Sequence, residues 1–155
     1  MAVLFIGFSG SAQESLTEQI SNDQNHQLLF KIVQSSSMAQ TLSQEEEAYT
    51  VFAPSNESLS QAFRENTSYG QITKSSMENI VAHNIVKGKW TLDKLKNKLN
   101  SDGSFSLTNE ADEKIEVSME NGKVYLKAGD KTAELQSPTQ ASNGLLYNID
   151  VVFIN

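Results

Sequence analysis

The chain has no cysteine, so neither a disulfide framework nor a thiolate metal site is open to it. Histidine is nearly as scarce. His26 and His83 lie far apart, without an acidic companion at i+1 or i+4, and match no zinc signature. Glycine-rich phosphate loops are missing, and so is any Arg-Gly-Asp tripeptide. Gly7-Phe8-Ser9-Gly10 lacks the second spaced glycine of a nucleophile elbow. The acidic run Glu45-Glu46-Glu47 lacks the alternating Asp/Asn and the glycine of a calcium loop, and reads as a solvated loop. No apolar stretch is long enough to span a bilayer. A formal net charge of −7 disfavours attraction to nucleic acid or anionic lipid, and the twelve Lys and Arg read as spread along the chain. These absences leave no implied cofactor, metal or catalytic residue.

What remains is the composition of one globular domain. The chain has 155 residues, 38% hydrophobic and 20% charged, enough for a single core of ordinary size. The apolar run Val3-Leu4-Phe5-Ile6-Gly7-Phe8 precedes the small residues Ser9-Gly10-Ser11-Ala12. That pattern predicts a secretory signal over residues 1–12 without the usual basic start, and a single domain over 13–155.

Asn22 or Asp23 is placed to cap a helix whose Leu28, Leu29, Ile32 and Val33 form one apolar stripe, with His26 on its polar side. Tyr49-Thr50-Val51-Phe52-Ala53 has the composition of a buried strand, and Pro54 ends it. Ser55 and Asn56 then offer caps to a helix carrying Leu59 and Phe63. Residues 64–76 form a polar connection. Ser75 or Ser76 is expected to cap a helix with Met77, Ile80 and Val81 on one face. Ile85-Val86 reads as a short strand ending at Gly88. Thr91 caps a helix with Leu92, Leu95 and Leu99 facing one way and Lys94, Lys96 and Lys98 on its other sides.

Asn121-Gly122 suits both positive-φ positions of a type I′ turn, which sets Met119 opposite Val124 and Val117 opposite Leu126. Gly129-Asp130 makes a second turn, setting Leu126 opposite Ala133 and Val124 opposite Leu135 on the same apolar face. Two turns therefore agree on one register for a three-stranded meander. In the last strand, Leu145, Tyr147, Ile149, Val151 and Phe153 alternate onto one face, with Leu146 and Val152 on the other, the pattern of an interior strand. Asp150, set between them, is expected to accept local hydrogen bonds.

Three segments resemble the fasciclin-like domain family in order. Thr50-Val51-Phe52-Ala53-Pro54-Ser55-Asn56-Glu57 resembles its signature Thr-Val-Phe-Ala-Pro-Thr-Asn-Glu. Asn143-Gly144-Leu145-Leu146-Tyr147-Asn148-Ile149-Asp150 is similar to its closing Asn-Gly-Val-Ile-His-Val-Ile-Asp strand. Ile85-Val86-Lys87-Gly88-Lys89-Trp90 is a weaker match, in which Asn84 stands where the family's more usual histidine stands and His83 precedes it. The resemblance implies an α+β fold, a β-sandwich or wedge of about seven strands flanked by several short helices. It also implies a non-enzymatic adhesion or interaction module, secreted, periplasmic or at the cell surface, binding an extracellular protein or polysaccharide.

Segments 64–76 and 84–90 are the expected contacts, with His83, Asn84, Lys87, Lys89 and Trp90 as candidate residues. Trp90 reads either as a binding hot spot or as packing under the neighbouring helix. Asn56-Glu57-Ser58 and Asn66-Thr67-Ser68 fit the glycosylation triplet, although Asn56 is better explained as a cap. The alternative is an exported small-ligand carrier or hydrolase with a pocket between sheet and helices, which requires convergent polar groups around a cavity or a perturbed His83.

Overall fold

The computed structural model describes residues 13–65 and 73–154. The expected signal segment and the Asn66-Thr67-Ser68 triplet lie outside those residues. In the segment following the expected signal, the Ser15 hydroxyl accepts from the Glu18 amide while the Glu18 carboxylate accepts from the Ser15 amide. This capping box starts α1 (Leu16–Asn22), whose Leu16 and Ile20 are fully buried. Asp23 then caps a short 3-10 turn, Gln24–His26, by accepting from the Asn25 amide at 2.8 Å. That turn precedes α2 (Gln27–Gln34) and shifts the helical phase, so His26 is not on a polar helix face. It is 2% exposed, with Nδ1 3.0 Å from the Asp23 carboxylate, which corrects its expected surface position.

After α3 (Met38–Thr41) come β1 (Tyr49–Pro54) and α4 (Asn56–Glu65). Ser55 caps α4 by accepting from the Ser58 amide at 3.1 Å. Asn56 caps a different helix. Its Oδ1 accepts from the Leu28 amide in the first turn of α2 at 2.9 Å, and its Nδ2 donates to the Gln24 carbonyl at 2.8 Å. The remaining helices are α5 (Lys74–His83) and α6 (Leu92–Asp102). Thr73, not Ser75 or Ser76, caps α5, with Ser76 as its capping-box partner at the third helical position. Thr91 caps α6 as its sequence predicts.

The other strands are β2 (Ile85–Lys87), β3 (Phe105–Thr108), β4 (Lys114–Glu120), β5 (Lys123–Ala128), β6 (Lys131–Leu135), β7 (Thr139–Ala141) and β8 (Gly144–Ile149). The described strands form two four-stranded sheets, in the orders β2-β1-β8-β7 and β3-β4-β5-β6. The second contains the predicted meander in its predicted register, extended by β3, which pairs Phe105 with Val117 and Leu107 with Ile115. Met119 pairs with Val124 as expected, yet near the hairpin tip it is 36% exposed.

In the first sheet β1 and β8 run parallel, Tyr49 opposite Gly144 through Pro54 opposite Ile149. Their alternating side chains feed two cores. Tyr49, Val51, Ala53 and Leu146 face a helical layer that includes Leu16, Ile20, Leu29, Ile32, Leu59 and Ile80. Phe52, Leu145, Tyr147 and Ile149 face the second sheet and α6, against Leu95, Leu99, Val117 and Leu126. The first sheet is therefore the middle layer, which is why its strands read as continuous apolar runs. The last strand is shorter than its alternation implies. It stops at Ile149, and Asp150 is exposed beyond its end, although Val151 and Phe153 still pack toward the second core.

Candidate functional site

The five candidate contact residues separate into a buried pair and an exposed face. His83 and Asn84 are 7% and 1% exposed. Nδ1 of His83 lies 2.8 Å from the Asn79 carbonyl, and the His83 carbonyl accepts from Nδ2 of Asn109 at 3.2 Å. Asn84 clasps the chain's end: Nδ2 donates to the carbonyls of Ile80 at 2.7 Å and Phe153 at 2.9 Å, while Oδ1 accepts from the Phe153 amide at 3.3 Å. Both residues are buried, hydrogen-bonded groups beneath the segment that carries the lysines.

Lys87 and Lys89 are exposed, and Trp90 between them and α6 is half-buried. The segment that carries them is held at several points. Gly88 has φ of 98°, a conformation glycine adopts without a Cβ penalty, and donates its amide to the Ala48 carbonyl at 2.8 Å. The hydroxyl of Thr50, fully buried on β1, donates to the Gly88 carbonyl at 2.7 Å and accepts from the Trp90 amide at 3.0 Å. The Trp90 carbonyl accepts from the Tyr147 phenol at 2.6 Å. Burial raises the Tyr147 phenol above the ordinary tyrosine range, so it keeps its proton, and this hydrogen bond, at pH values where an ordinary tyrosine ionises. Finally the Trp90 indole N–H donates to the Lys87 carbonyl at 3.0 Å.

Trp90 packs at the junction with the neighbouring helix, the second of its two readings. Its ring packs against Phe105, with centroids 5.9 Å apart and planes inclined by 31°. The Lys94 ammonium lies 4.2 Å from its ring centroid, and the Lys98 ammonium lies 5.3 Å from that of Phe105. Lys94 and Lys98 stand one helical turn apart on α6, so cations and rings interleave across the junction of β2, α6 and β3.

The basic residues are spread along the chain, yet some of them gather here. Residues 87–98 hold Lys87, Lys89, Lys94, Lys96 and Lys98, five of the chain's twelve basic residues, against the single carboxylate of Asp93. Lys94, Lys98 and Phe105 were not among the candidates. A running charge count would have found the lysines, but Phe105 is brought alongside by tertiary packing. Two exposed pairs trim the patch: Lys87 with Glu47 at 3.9 Å, and Lys98 with Asp102 at 3.2 Å. Such pairs contribute about 0–1 kcal/mol and leave the lysines able to exchange partners.

A depression of about 670 Å³ is lined by residues including Ser37, Thr73, Ser76, Glu78 and Glu110. Another of about 440 Å³ is lined by residues including Ser58, Glu65, Asp130 and Asp150. Neither contains a histidine. Among the described residues no group of three or more His, Cys, Asp or Glu is placed to hold a metal, and no helix is long and apolar enough to cross a membrane.

The Fasciclin domain family model matches residues 24–155. The fold is similar to a FAS1 domain pair from the insect cell adhesion molecule fasciclin I, with a TM-score of 0.77 and 16% sequence identity. That match covers 92% of this chain and 51% of the other, so this chain spans about half the length of the domain pair. None of the curated proteins matches the chain.

Proposed function

The chain belongs to the fasciclin domain family, a cell-adhesion type of module, and from that membership we propose that it is an exported, non-enzymatic domain binding an extracellular or cell-surface protein or polysaccharide. The contact is made by the face carrying Lys87, Lys89 and Trp90. One observation carries this reading: the Lys87–Trp90 segment is tied to both β1 and β8 through Thr50 and Tyr147 while its lysine side chains stay in solvent. Preorganising a charged loop on a packed scaffold lowers the ordering cost of association. By contrast, Nδ1 of His83 and the side-chain amide of Asn84 are engaged with backbone groups of Asn79, Ile80 and Phe153.

Beads coated with the full chain and offered to cells of the source organism provide the test. Adhesion is expected to fall by more than half in a Lys87→Glu/Lys89→Glu variant and to persist in a Lys114→Glu/Lys127→Glu control on the second sheet. Adhesion indifferent to Lys87 and Lys89, or ester or glycan turnover abolished by His83→Ala, overturns the reading.

A further inference from the structure

We propose that the partner of this face is an acidic polysaccharide, bearing carboxylate or sulfate groups, that runs across Lys89, Lys94 and Lys98 over the Trp90–Phe105 pair. This rests on the preceding reading that the Lys87–Trp90 face is the contact surface. The chemistry of the patch selects the partner by elimination.

Charge comes first. Five lysines against one carboxylate make residues 87–98 +4 in a chain of net charge −7, and counting Glu47 beside Lys87 and Asp102 beside Lys98 still leaves the face positive. A polyanion can therefore dock at this face and is repelled by the rest. Among the described residues, Lys89 and Lys94 have no carboxylate within ion-pair reach.

The rings argue the same way. Lys94 sits over Trp90, and Phe105 packs against the same indole, so the ring is not a free stacking platform for a base. It serves to hold an ammonium in place, as Phe105 does for Lys98. What covers the two rings is the pair of ammoniums of Lys94 and Lys98, and the complementary surface is anionic.

Side-chain type narrows the choice further. The patch is built from lysine alone, and the chain's one arginine, Arg64, lies on α4. Lysine ammoniums are point charges without the fork geometry that grips phosphate or carboxylate in two-point fashion. They suit a flexible polymer whose anionic groups can slide among them. A protein partner would call for a desolvated apolar centre, and both aromatics here are half-buried beneath cations. Among the described residues the exposed large hydrophobic is Met119, on β4 in the other sheet.

The experiment titrates the full chain against heparin as the sulfated probe, polygalacturonate as the carboxylated probe, dextran as the neutral blank and single-stranded DNA as the phosphate polymer. A Lys89→Gln/Lys94→Gln/Lys98→Gln variant is compared with a Lys114→Gln/Lys123→Gln/Lys127→Gln control that removes equal charge from the second sheet. All six lysines are exposed, and equal melting temperatures confirm that both variants fold. Binding to heparin or polygalacturonate that weakens about tenfold in the patch variant, weakens with added salt and is unchanged in the control supports the proposal. Which probe binds more tightly tells sulfate from carboxylate. Equal weakening in both variants, tighter binding to DNA, or no binding to either acidic polysaccharide overturns it. In the last case the bead assay separates two failures. Adhesion lost in the patch variant points to a protein partner and leaves the contact face standing, whereas adhesion unaffected removes the face as well.

Discussion

The Tyr147 phenol reaches out of the second core to donate a 2.6 Å hydrogen bond to the carbonyl of Trp90, joining β8, an interior strand of the first sheet, to the base of the lysine-rich face. Tyr147→Phe removes that donor and leaves a partly buried carbonyl short of a partner. We expect a loss of about 0.5–1.5 kcal/mol in urea unfolding. Trp90 is the chain's only tryptophan, so its native-state fluorescence anisotropy should fall in the variant. Unchanged stability and anisotropy would show that the bond does not anchor the loop.

Alkaline pH tests the same burial. Desolvation raises the Tyr147 phenol, and desolvation followed by the Glu47 carboxylate raises that of Tyr49. In the unfolded chain both ionise near pH ~10, whereas the native chain retains their protons to higher pH. Above that pH the unfolded state binds fewer protons, so stability falls as pH rises. Below the unfolded value the contribution is fully present. Urea midpoints measured from pH 8 to 11 should decline toward the upper end, with a shallower decline in Tyr147→Phe.

Asn143 should be among the least replaceable polar residues. Its side chain accepts from the Leu16 amide at 2.9 Å and donates to the carbonyls of Leu42 at 2.8 Å and Gln44 at 2.7 Å, tying α1, the α3 exit and the β7–β8 turn together. Asn143→Ala leaves three backbone groups without their partner. A destabilisation of about 2–4 kcal/mol by urea unfolding is expected. A loss below half a unit on that scale would mean that water replaces the side chain freely.

Gly144 sits where no side chain fits. A Cβ there would lie 1.8 Å from the Tyr49 carbonyl oxygen and 2.9 Å from its carbon, both backbone atoms of the paired strand. Gly144→Ala must displace the parallel β1–β8 pairing and should cost at least about 2 kcal/mol, or abolish folding. A variant with native melting temperature would contradict that pairing.

What the sequence makes legible is set by the range of the interactions. The β4–β5–β6 register was readable because two glycine turns and an apolar alternation fix it locally. Thr91 as a cap and Leu95 with Leu99 as a buried stripe were equally local. β3 was missed because Phe105–Thr108 has no turn of its own and becomes a strand by pairing with β4. His26 was misplaced because a 3-10 turn breaks the helical phase just before α2. Asn56 announced a cap but not its target, since the Leu28 amide it satisfies is distant in sequence. At the candidate site Lys87, Lys89 and Trp90 were identified from their types. The cations over the rings, and the burial of His83 and Asn84, depend on how α5, α6, β3 and the chain's end pack together.

The most direct measurement of the central claim is an amide and indole NMR titration of the full chain with a heparin fragment. The account predicts shifts concentrated at residues 87–98, at Phe105 and at the Trp90 indole N–H, with the outer face of the second sheet silent. Shifts scattered over the surface, or centred on α4 and Asp130, would contradict it.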